Sequence, residues 1–192
     1  MNKLLILLPL MFLAQLAAAD PDKIYKNQFN RCPETKETMN NYEPEVFETS
    51  NNLLRKAGAN PVFCGEKVLL KGKVLDKKCV PISDAKVYLW QVGCDGKYPY
   101  KPLRKLASED KMNTTSGSTF TGSGIATTDN NGEFWFVTII PPKSHRGHNN
   151  INIRVEHRDL GELQTQISPT PGDNGEYDFT IVLHKKNKFR RY

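Results

Sequence analysis

The sequence lacks the motifs of several common classes of enzyme. It contains four cysteines and four histidines among 192 residues, and the cysteine spacings match no CxxC zinc pattern. It has no Walker loop, no dinucleotide-binding fingerprint and no serine–histidine–aspartate motif. Its N-terminal apolar run, residues 4–16, is shorter than a typical membrane-spanning helix. These absences argue against a nucleotide-dependent enzyme, a zinc protein, a serine hydrolase and an integral membrane protein.

Residues 1–19 have the layout of a cleavable secretory signal. Lys3 precedes the apolar run, and three alanines at 17–19 precede Asp20. We therefore predict a mature protein that starts near Asp20, is secreted or periplasmic, and has no membrane attachment after cleavage. An uncleaved membrane anchor is the alternative.

The basic charge of the chain is concentrated at its C-terminus. Removing residues 1–19 takes away one lysine, so the formal net charge falls from +6 to +5. Much of that excess follows residue 184, at Lys185, Lys186, Lys188, Arg190 and Arg191. No aromatic stacking platform accompanies these charges, which favours a solvated tail over a surface for nucleic acid or anionic lipid. We expect no nucleic-acid partner.

Alternating apolar and polar residues predict short β-strands. The stretch 68–98 is predicted to form a hairpin of two strands with a turn-rich connection. A second two-strand unit is predicted at 125–140, and single strands at 150–155 and 177–183. Regular short strands separated by turn signals predict an all-β fold, an antiparallel β-sandwich.

The length favours one domain with a hydrophobic core. Residues 20–65 are predicted to form an N-terminal arm with a helix at 44–57 that packs on the sheet edge. The β-sandwich is expected at 66–185 and a basic tail at 186–192. The long loop at 99–124 is rich in Ser, Thr and Gly, a composition and length typical of functional or mobile loops.

An even number of cysteines in an exported protein favours disulfides. In the predicted hairpin, Cys79 lies in the connection, whereas Cys64 precedes the first strand and Cys94 follows the second. A strand of eight residues spans roughly 26 Å, far beyond the ~7 Å that bridged Cα atoms tolerate. We therefore predict Cys64–Cys94 and Cys32–Cys79, and expect four free thiols only if the chain is not exported.

Several strings of the sequence occur in one characteristic order. They are Gly72-Lys-Val-Leu-Asp, Asp84-Ala-Lys-Val-Tyr-Leu-Trp-Gln, Asp95-Gly-Lys-Tyr98, TTDNNGEF at 127–134, TIIPP at 138–142 and Tyr177-Asp-Phe-Thr-Ile-Val-Leu. The TTDNNGEF turn also resembles transthyretin-like sandwiches, whereas the combination of Trp90-Gln91, Gly96-Lys-Tyr98 and TIIPP is more specific. On these strings, residues 66–184 resemble the intradiol ring-cleavage dioxygenases.

The resemblance implies a non-haem Fe(3+) site that cleaves small aromatic, catechol-type substrates with dioxygen. It also implies an iron held by two tyrosines and two histidines. Tyr98 matches the first tyrosine, and the second is expected at 143–145, where the chain has Lys-Ser-His. The family's His-x-His falls on Asn150-Ile-Asn152, and its arginine falls near Arg146 or Gly147. Asparagine is a weak carbonyl donor and does not replace imidazole at similar affinity.

Two histidines precede the predicted strand at 150–155. His145 and His148 are candidates for a rearranged metal site with Tyr98, and two solvent-exposed loop histidines are the alternative. Strand parity places Asn150, Asn152 and Arg154 on one side, so a pocket formed by these residues with Arg146 is predicted even without a metal. His157 and His184 are interpreted as surface or structural residues.

Three functions remain open. The first is an exported intradiol dioxygenase that acts on a catechol-type substrate through a degenerate or rearranged iron site. The second is a family member that binds a ligand or partner in its pocket without oxidising it. The third is a structural or adhesive extracellular sandwich.

Overall fold

In the computed structural model, the described residues are 31–105, 108–114, 117–144, 147, 150–169, 171 and 176–184. They contain the strands β1 Lys67–Leu75, β2 Lys86–Trp90, β3 Ser123–Thr127, β4 Glu133–Ile139, β5 Ile151–His157, β6 Gly161–Ile167 and β7 Tyr177–Val182. A single turn of 3-10 helix covers Glu109–Lys111. In the described part of the chain, no helix has the length and apolar character needed to cross a membrane.

The strands form two sheets. One sheet has the order β4-β1-β7 and the other the order β3-β2-β5-β6. Their inner faces supply one continuous core, which includes the fully buried side chains of Leu70, Leu89, Phe136, Ile153 and Ile181. The predicted β-sandwich is therefore confirmed. One pair departs from the antiparallel rule, because β7 runs parallel to β1.

The predicted hairpin at 68–98 is wrong in its pairing. Its two strands are β1 and β2, but they belong to different sheets and face each other across the core. The connection between them contains a turn at Asp76, whose carboxylate accepts hydrogen bonds from the backbone N–H groups of Lys78 and Val80, each at 2.8 Å. The strands at 125–140 are separated in the same way, since β3 pairs with β2 and β4 with β1. Alternation predicts one buried face and does not specify the neighbouring strand.

The predicted helix at 44–57 is also wrong. This segment has no helical turn. Its backbone instead joins the edge of β4, because Leu53 N–H donates to Val137 O at 2.8 Å and Val137 N–H donates to Asn51 O at 2.9 Å. Leu53 is buried as the apolar stripe predicts, while Val46 is 79% exposed. Bonds to an open sheet edge replace the local bonds that a helix would make.

Strand β6 was not predicted, because its inner face mixes Leu163 with the polar Thr165. Both side chains are buried, together with Gln164 on the opposite face. A strand with polar residues on both faces has no clear period of two.

Both predicted disulfides are present, Cys32–Cys79 and Cys64–Cys94. The second pair joins the residues before β1 and after β2, which lie at the same end of the sandwich. The first pair fastens the start of the described N-terminal segment to the turn between those strands. Each disulfide closes a loop and thereby reduces the conformational entropy of the unfolded chain.

Gly72 offers a direct test of the core. It lies opposite Phe134 in β4, and a Cβ atom at this position would overlap the Phe134 ring. That ring is held edge-on by Phe136 and Phe179, so it has little freedom to move. We expect Gly72→Ala to lower the free energy of unfolding by about 1–3 kcal/mol, as overpacked cores do.

Chemical denaturation measures this effect, with Gly117→Ala as the control. A Cβ atom at Gly117 meets nothing within 4 Å, so its substitution should stay within about 0.5 kcal/mol of the wild type. Equal effects of the two substitutions would contradict the packing described at Gly72.

Candidate functional site

Tyr98 is held at the end of β2 by a tight turn and by the loop that follows it. Gly93 N–H donates to Lys97 O at 2.8 Å, and Gly96 takes the left-handed φ of 75° that the turn requires. Tyr98 N–H then donates to Lys111 O at 2.7 Å. The side chain is only 7% exposed. The turn and these backbone bonds therefore hold Tyr98 in one position, where its side chain is buried.

Two asparagine amides, those of Asn40 and Asn152, lie near the Tyr98 hydroxyl group and act to lower the pKa of its phenol. The other bonds of Asn40 fix its orientation, because its Oδ1 accepts from Trp90 Nε1 at 3.2 Å and from Tyr42 N at 2.7 Å. The amide NH₂ group of Asn40 is therefore the part that faces Tyr98.

Asn152 has the same orientation towards the phenol. Its Oδ1 accepts from Gln166 Nε2 at 3.1 Å, and its Nδ2 donates to Trp90 O at 3.2 Å. Asn152 is 1% exposed, so every one of these bonds satisfies a buried polar atom. Both amides therefore favour the phenolate form of Tyr98.

The surroundings of Tyr98 change its acidity in opposite directions. Burial raises the pKa of the Tyr98 phenol, and the two asparagine amides oppose this because they stabilise the phenolate. Burial is the larger effect, so the pKa stays above its ordinary value. The Tyr98 phenol is therefore neutral near pH 7.

Residues 38–47, called the arm from here on, cover this site. Tyr42 stacks on Tyr98 with ring centroids 4.8 Å apart and planes 11° apart. Phe47 packs edge-on against Tyr88 and Trp90 of β2 at 5.0 and 5.9 Å. The arm backbone is bonded on both sides, through Thr38 N–H to Gln164 O and through Glu45 N–H to Lys101 O.

Arg154 lies beneath the arm, two residues after Asn152 on the same side of β5. Its guanidinium carbon is 4.3 Å from the Tyr88 ring centroid and 5.6 Å from that of Phe47, within the range of cation–π contacts. It forms ion pairs with Glu43 of the arm and with Glu156, the latter at 3.1 Å. The arm therefore contributes both a ring and a carboxylate to this face.

Glu43 is 5% exposed, and its burial raises the pKa of its carboxyl group. The positive charge of Arg154 acts in the opposite direction but does not reverse the shift. The pair has the energetics of a buried ion pair, in which desolvation outweighs the mutual attraction.

Tyr100 has a buried hydroxyl group that finds no hydrogen-bond partner among the described residues. Its ring centroid lies 5.6 Å from that of Tyr98. Burial raises the pKa of the Tyr100 phenol well above its ordinary value, and the charges of Tyr98 and Glu43 add to the shift. An unsatisfied buried hydroxyl of this kind costs about 1–3 kcal/mol.

The structure brings together three of the residues predicted for the site, Tyr98, Asn152 and Arg154. Asn150 precedes β5 and is half-buried. His145, Arg146 and His148 lie outside the described residues, so their predicted roles stay predictions.

Sequence reasoning missed Asn40, Tyr42, Glu43 and Tyr100. The first three belong to an arm without period or motif, so nothing in the sequence marked them. Tyr100 lies two residues after Tyr98, so the sequence could have indicated a second phenol in the same loop.

The described residues hold no complete set of the donors that the resemblance implies for a ferric ion. Iron(III) in such a site requires imidazole and phenolate donors. The resemblance matches Asn152 to the second histidine, and the Asn152 carbonyl oxygen accepts a hydrogen bond from Gln166. Within the described ranges, no group of three or more His, Cys, Asp or Glu side chains converges to hold a metal.

Comparison with known proteins defines the class. A family model described as "Dioxygenase" matches residues 40–158. A Rickettsia felis protein named "Putative dioxygenase" is 54% identical over 145 residues, which are 76% of this chain and 70% of the relative. The protocatechuate 3,4-dioxygenase beta chain of Burkholderia cepacia is 30% identical over 91 residues, covering 47% of this chain and 36% of that protein.

Solved structures have the same fold. An intradiol ring-cleavage dioxygenase from Tetranychus urticae superposes with a TM-score of 0.59 at 16% identity, covering 83% of this chain and 98% of that one. The chain belongs to the intradiol ring-cleavage dioxygenase family.

The raised pKa of Glu43 predicts a pH-dependent stability. A carboxyl group whose folded pKa lies above its unfolded value of about 4.3 stabilises the fold fully below that value. This contribution is lost as pH rises through the folded pKa. Between about pH 4 and pH 7, we therefore expect the wild type to lose stability relative to Glu43→Gln.

Urea unfolding of both proteins across this range measures the difference. Glu45→Gln is the matched control, because Glu45 lies on the same arm but pairs with the exposed Lys101. A wild type that gains stability over Glu43→Gln with rising pH would show that attraction to Arg154 dominates.

Removal of the unsatisfied hydroxyl should stabilise the protein. We expect Tyr100→Phe to raise the free energy of unfolding by about 1 kcal/mol, because it deletes a buried polar atom and keeps the ring. Denaturant unfolding tests this, and a loss of stability would mean that the hydroxyl has a partner in solution.

Proposed function

We propose that this member of the intradiol dioxygenase family binds a small phenolic ring at the face formed by Tyr98, Asn152 and Arg154, without the family's ferric chemistry. The observation that carries this proposal is the hydrogen bonding of the buried Asn152 amide beside Tyr98: its Oδ1 accepts from Gln166 Nε2, and its Nδ2 donates to Trp90 O.

The surface beneath the arm has the chemistry of an aromatic-binding site. It combines the ring of Tyr98, the buried amide of Asn152 and the guanidinium group of Arg154. Small-molecule sites in proteins combine aromatic walls with a few fixed polar groups in this manner. Phenolic substrates are also what the family as a whole acts on, and retention of Tyr98 supports the same class of ligand.

We further propose that the protein works outside the cytoplasm, either secreted or in the periplasm. The predicted signal at residues 1–19 and the two disulfides support this location. Disulfides persist in oxidising compartments and are rare in the cytosol.

A ferric dioxygenase that cleaves a catechol-type substrate is the second candidate. Family membership and the position of Tyr98 favour it. His145 and His148 would have to supply the imidazole donors, since they precede β5 by only a few residues. This version of the site is the rearranged iron centre considered from the sequence.

Metal analysis and ligand titration separate the two candidates. For the purified, disulfide-intact protein grown with iron, we expect little bound iron, no visible absorption band and calorimetric binding of catechol. Tyr98→Leu should weaken that binding by about ten-fold or more, because it removes the ring face. Trp135→Leu is the control, since Trp135 is exposed on the outer face of the other sheet.

Near-stoichiometric iron with a visible tyrosinate-to-iron band that Tyr98→Phe abolishes would establish the ferric candidate. Iron-free protein that binds no phenolic compound would overturn both candidates and leave a structural sandwich.

A further inference from the structure

The two disulfides differ in their exposure to solvent. Cys64 and Cys94 are both exposed, whereas Cys32 and Cys79 are half-buried. Thiol–disulfide exchange requires a thiolate to reach one sulfur atom of the bond, so its rate depends on access. Exposed disulfides are also easier to reduce than buried structural ones. Cys64–Cys94 is therefore the disulfide that an external thiol reaches first.

The surface beside this disulfide suits the approach of a thiolate. Cys64 and Cys94 border a cavity of about 240 Å³ that is also lined by Lys97 and Asp95. A nearby ammonium group such as that of Lys97 stabilises a thiolate relative to the thiol. The Asp95 carboxylate already accepts hydrogen bonds, from Lys97 N–H at 3.0 Å and from Asn113 Nδ2 at 2.9 Å. The disulfide thus forms part of a concave surface that carries a cation.

The Cys94 end of this disulfide lies in the turn that leads to Tyr98. Hydrogen bonds within residues 93–97 fold the turn, but they do not attach it to a sheet. The Cys64 end lies three residues before β1. The disulfide therefore ties the turn covalently to the β4-β1-β7 sheet.

Other hydrogen bonds of the turn reach the loop at 108–113. Tyr98 N–H donates to Lys111 O at 2.7 Å, and Asn113 N–H donates to Tyr98 O at 2.9 Å. This loop contains no strand, only the turn of 3-10 helix at Glu109–Lys111. These bonds join one loop to another, whereas the disulfide joins the turn to a sheet. Opening the disulfide removes that constraint and gives the turn more freedom.

We propose that Cys64–Cys94 is a site of reversible exchange with a dithiol, and that its state sets how firmly the turn holds Tyr98. One thiolate of the dithiol attacks a sulfur atom of the pair, the S–S bond breaks, and the other cysteine leaves as a thiolate that takes up a proton. The second thiol of the dithiol then attacks the mixed disulfide. The protein gains two electrons and two protons, and the dithiol becomes a disulfide.

The exchange itself does not depend on phenol binding. Its effect on a ligand rests on the proposed function, because Tyr98 belongs to the proposed phenolic site. The two parts are therefore tested separately.

Reduction of the native wild type by dithiothreitol tests the exchange. Free thiols are alkylated at successive times and identified by peptide mass spectrometry. Cys64 and Cys94 should react about ten-fold faster than Cys32 and Cys79, because the first pair is more exposed. In concentrated urea this difference should vanish, since the fold then protects neither pair. Equal rates in the native protein, or faster opening of Cys32–Cys79, would overturn the exchange site.

Hydrogen exchange tests the link to Tyr98. The double variant Cys64→Ser/Cys94→Ser reproduces the open state without a reductant. Amides at 93–98 should exchange about three-fold faster or more than in the wild type, because the turn opens more often. The amides of β5 should stay protected. The same measurement on selectively reduced wild type covers the case in which the variant does not fold.

The matched control is Cys32→Ser/Cys79→Ser, which removes the other disulfide. It should leave exchange at 93–98 as in the wild type, because Cys79 lies in the turn between β1 and β2 and not in the turn before Tyr98. Unchanged protection at 93–98 in Cys64→Ser/Cys94→Ser would overturn the link between the disulfide and Tyr98.

Catechol titration relates the disulfide to the proposed function. Selectively reduced wild type, freed of dithiothreitol, should bind catechol about three-fold more weakly, because a less ordered Tyr98 must be fixed on binding. Re-oxidation should restore the affinity. Equal affinities of the two forms would overturn control of the site by the disulfide. If neither form binds a phenolic compound, the proposed function fails, while alkylation and hydrogen exchange still decide the exchange site and its link to the turn.

Discussion

The hydrogen bonds that the Asn40 and Asn152 amides make around Tyr98 are the constraint on which this site depends. The Asn40 oxygen accepts from Trp90 Nε1 and from the backbone N–H of Tyr42. The Asn152 oxygen accepts from Gln166, and its NH₂ group donates to Trp90 O. Both amides also lie beside the Tyr98 phenol. Because buried polar groups are costly when unpaired, each bond fixes the orientation of the next. The arm, the end of β2 and the middle of β5 are thereby joined at one buried point.

This network shows how polar side chains alone hold the end of β2 and the middle of β5 together. The sandwich takes its stability from the core between the sheets and from two disulfides, and both are independent of the outer face of β5. Asn152 fills a buried position and bonds to two of its neighbours, Gln166 and the carbonyl of Trp90. The outer face can therefore change its polar chemistry while Ile151, Ile153 and Val155 on the inner face continue to pack.

The sequence predicted the structure correctly where the chemistry of individual side chains determines it, as in the burial of strand residues and the pairing of cysteines. Alternation in β1, β2, β4 and β5 predicted which residues are buried, since the inward phase of a strand must be apolar. The cysteine positions predicted both disulfides, since strand length excludes the other pairings. Strand partners were predicted wrongly, because a strand with one buried face can lie beside its neighbour in sequence or opposite it. The segment at 44–57 shows the same limit: Leu53 and Leu54 are buried and Val46 is exposed, and hydrogen bonds to the open edge of β4 decide the backbone conformation.

The sequence did not predict the contacts of the arm, for a related reason. Asn40, Tyr42 and Glu43 have no period, and these partners lie 50 or more residues away along the chain. Only the folded structure shows that an aperiodic polar segment supplies a ring to Tyr98 and a carboxylate to Arg154. The raised pKa of Glu43 shows that this closure is made against a desolvation cost. A contact with such a cost contributes less to stability than its close geometry suggests.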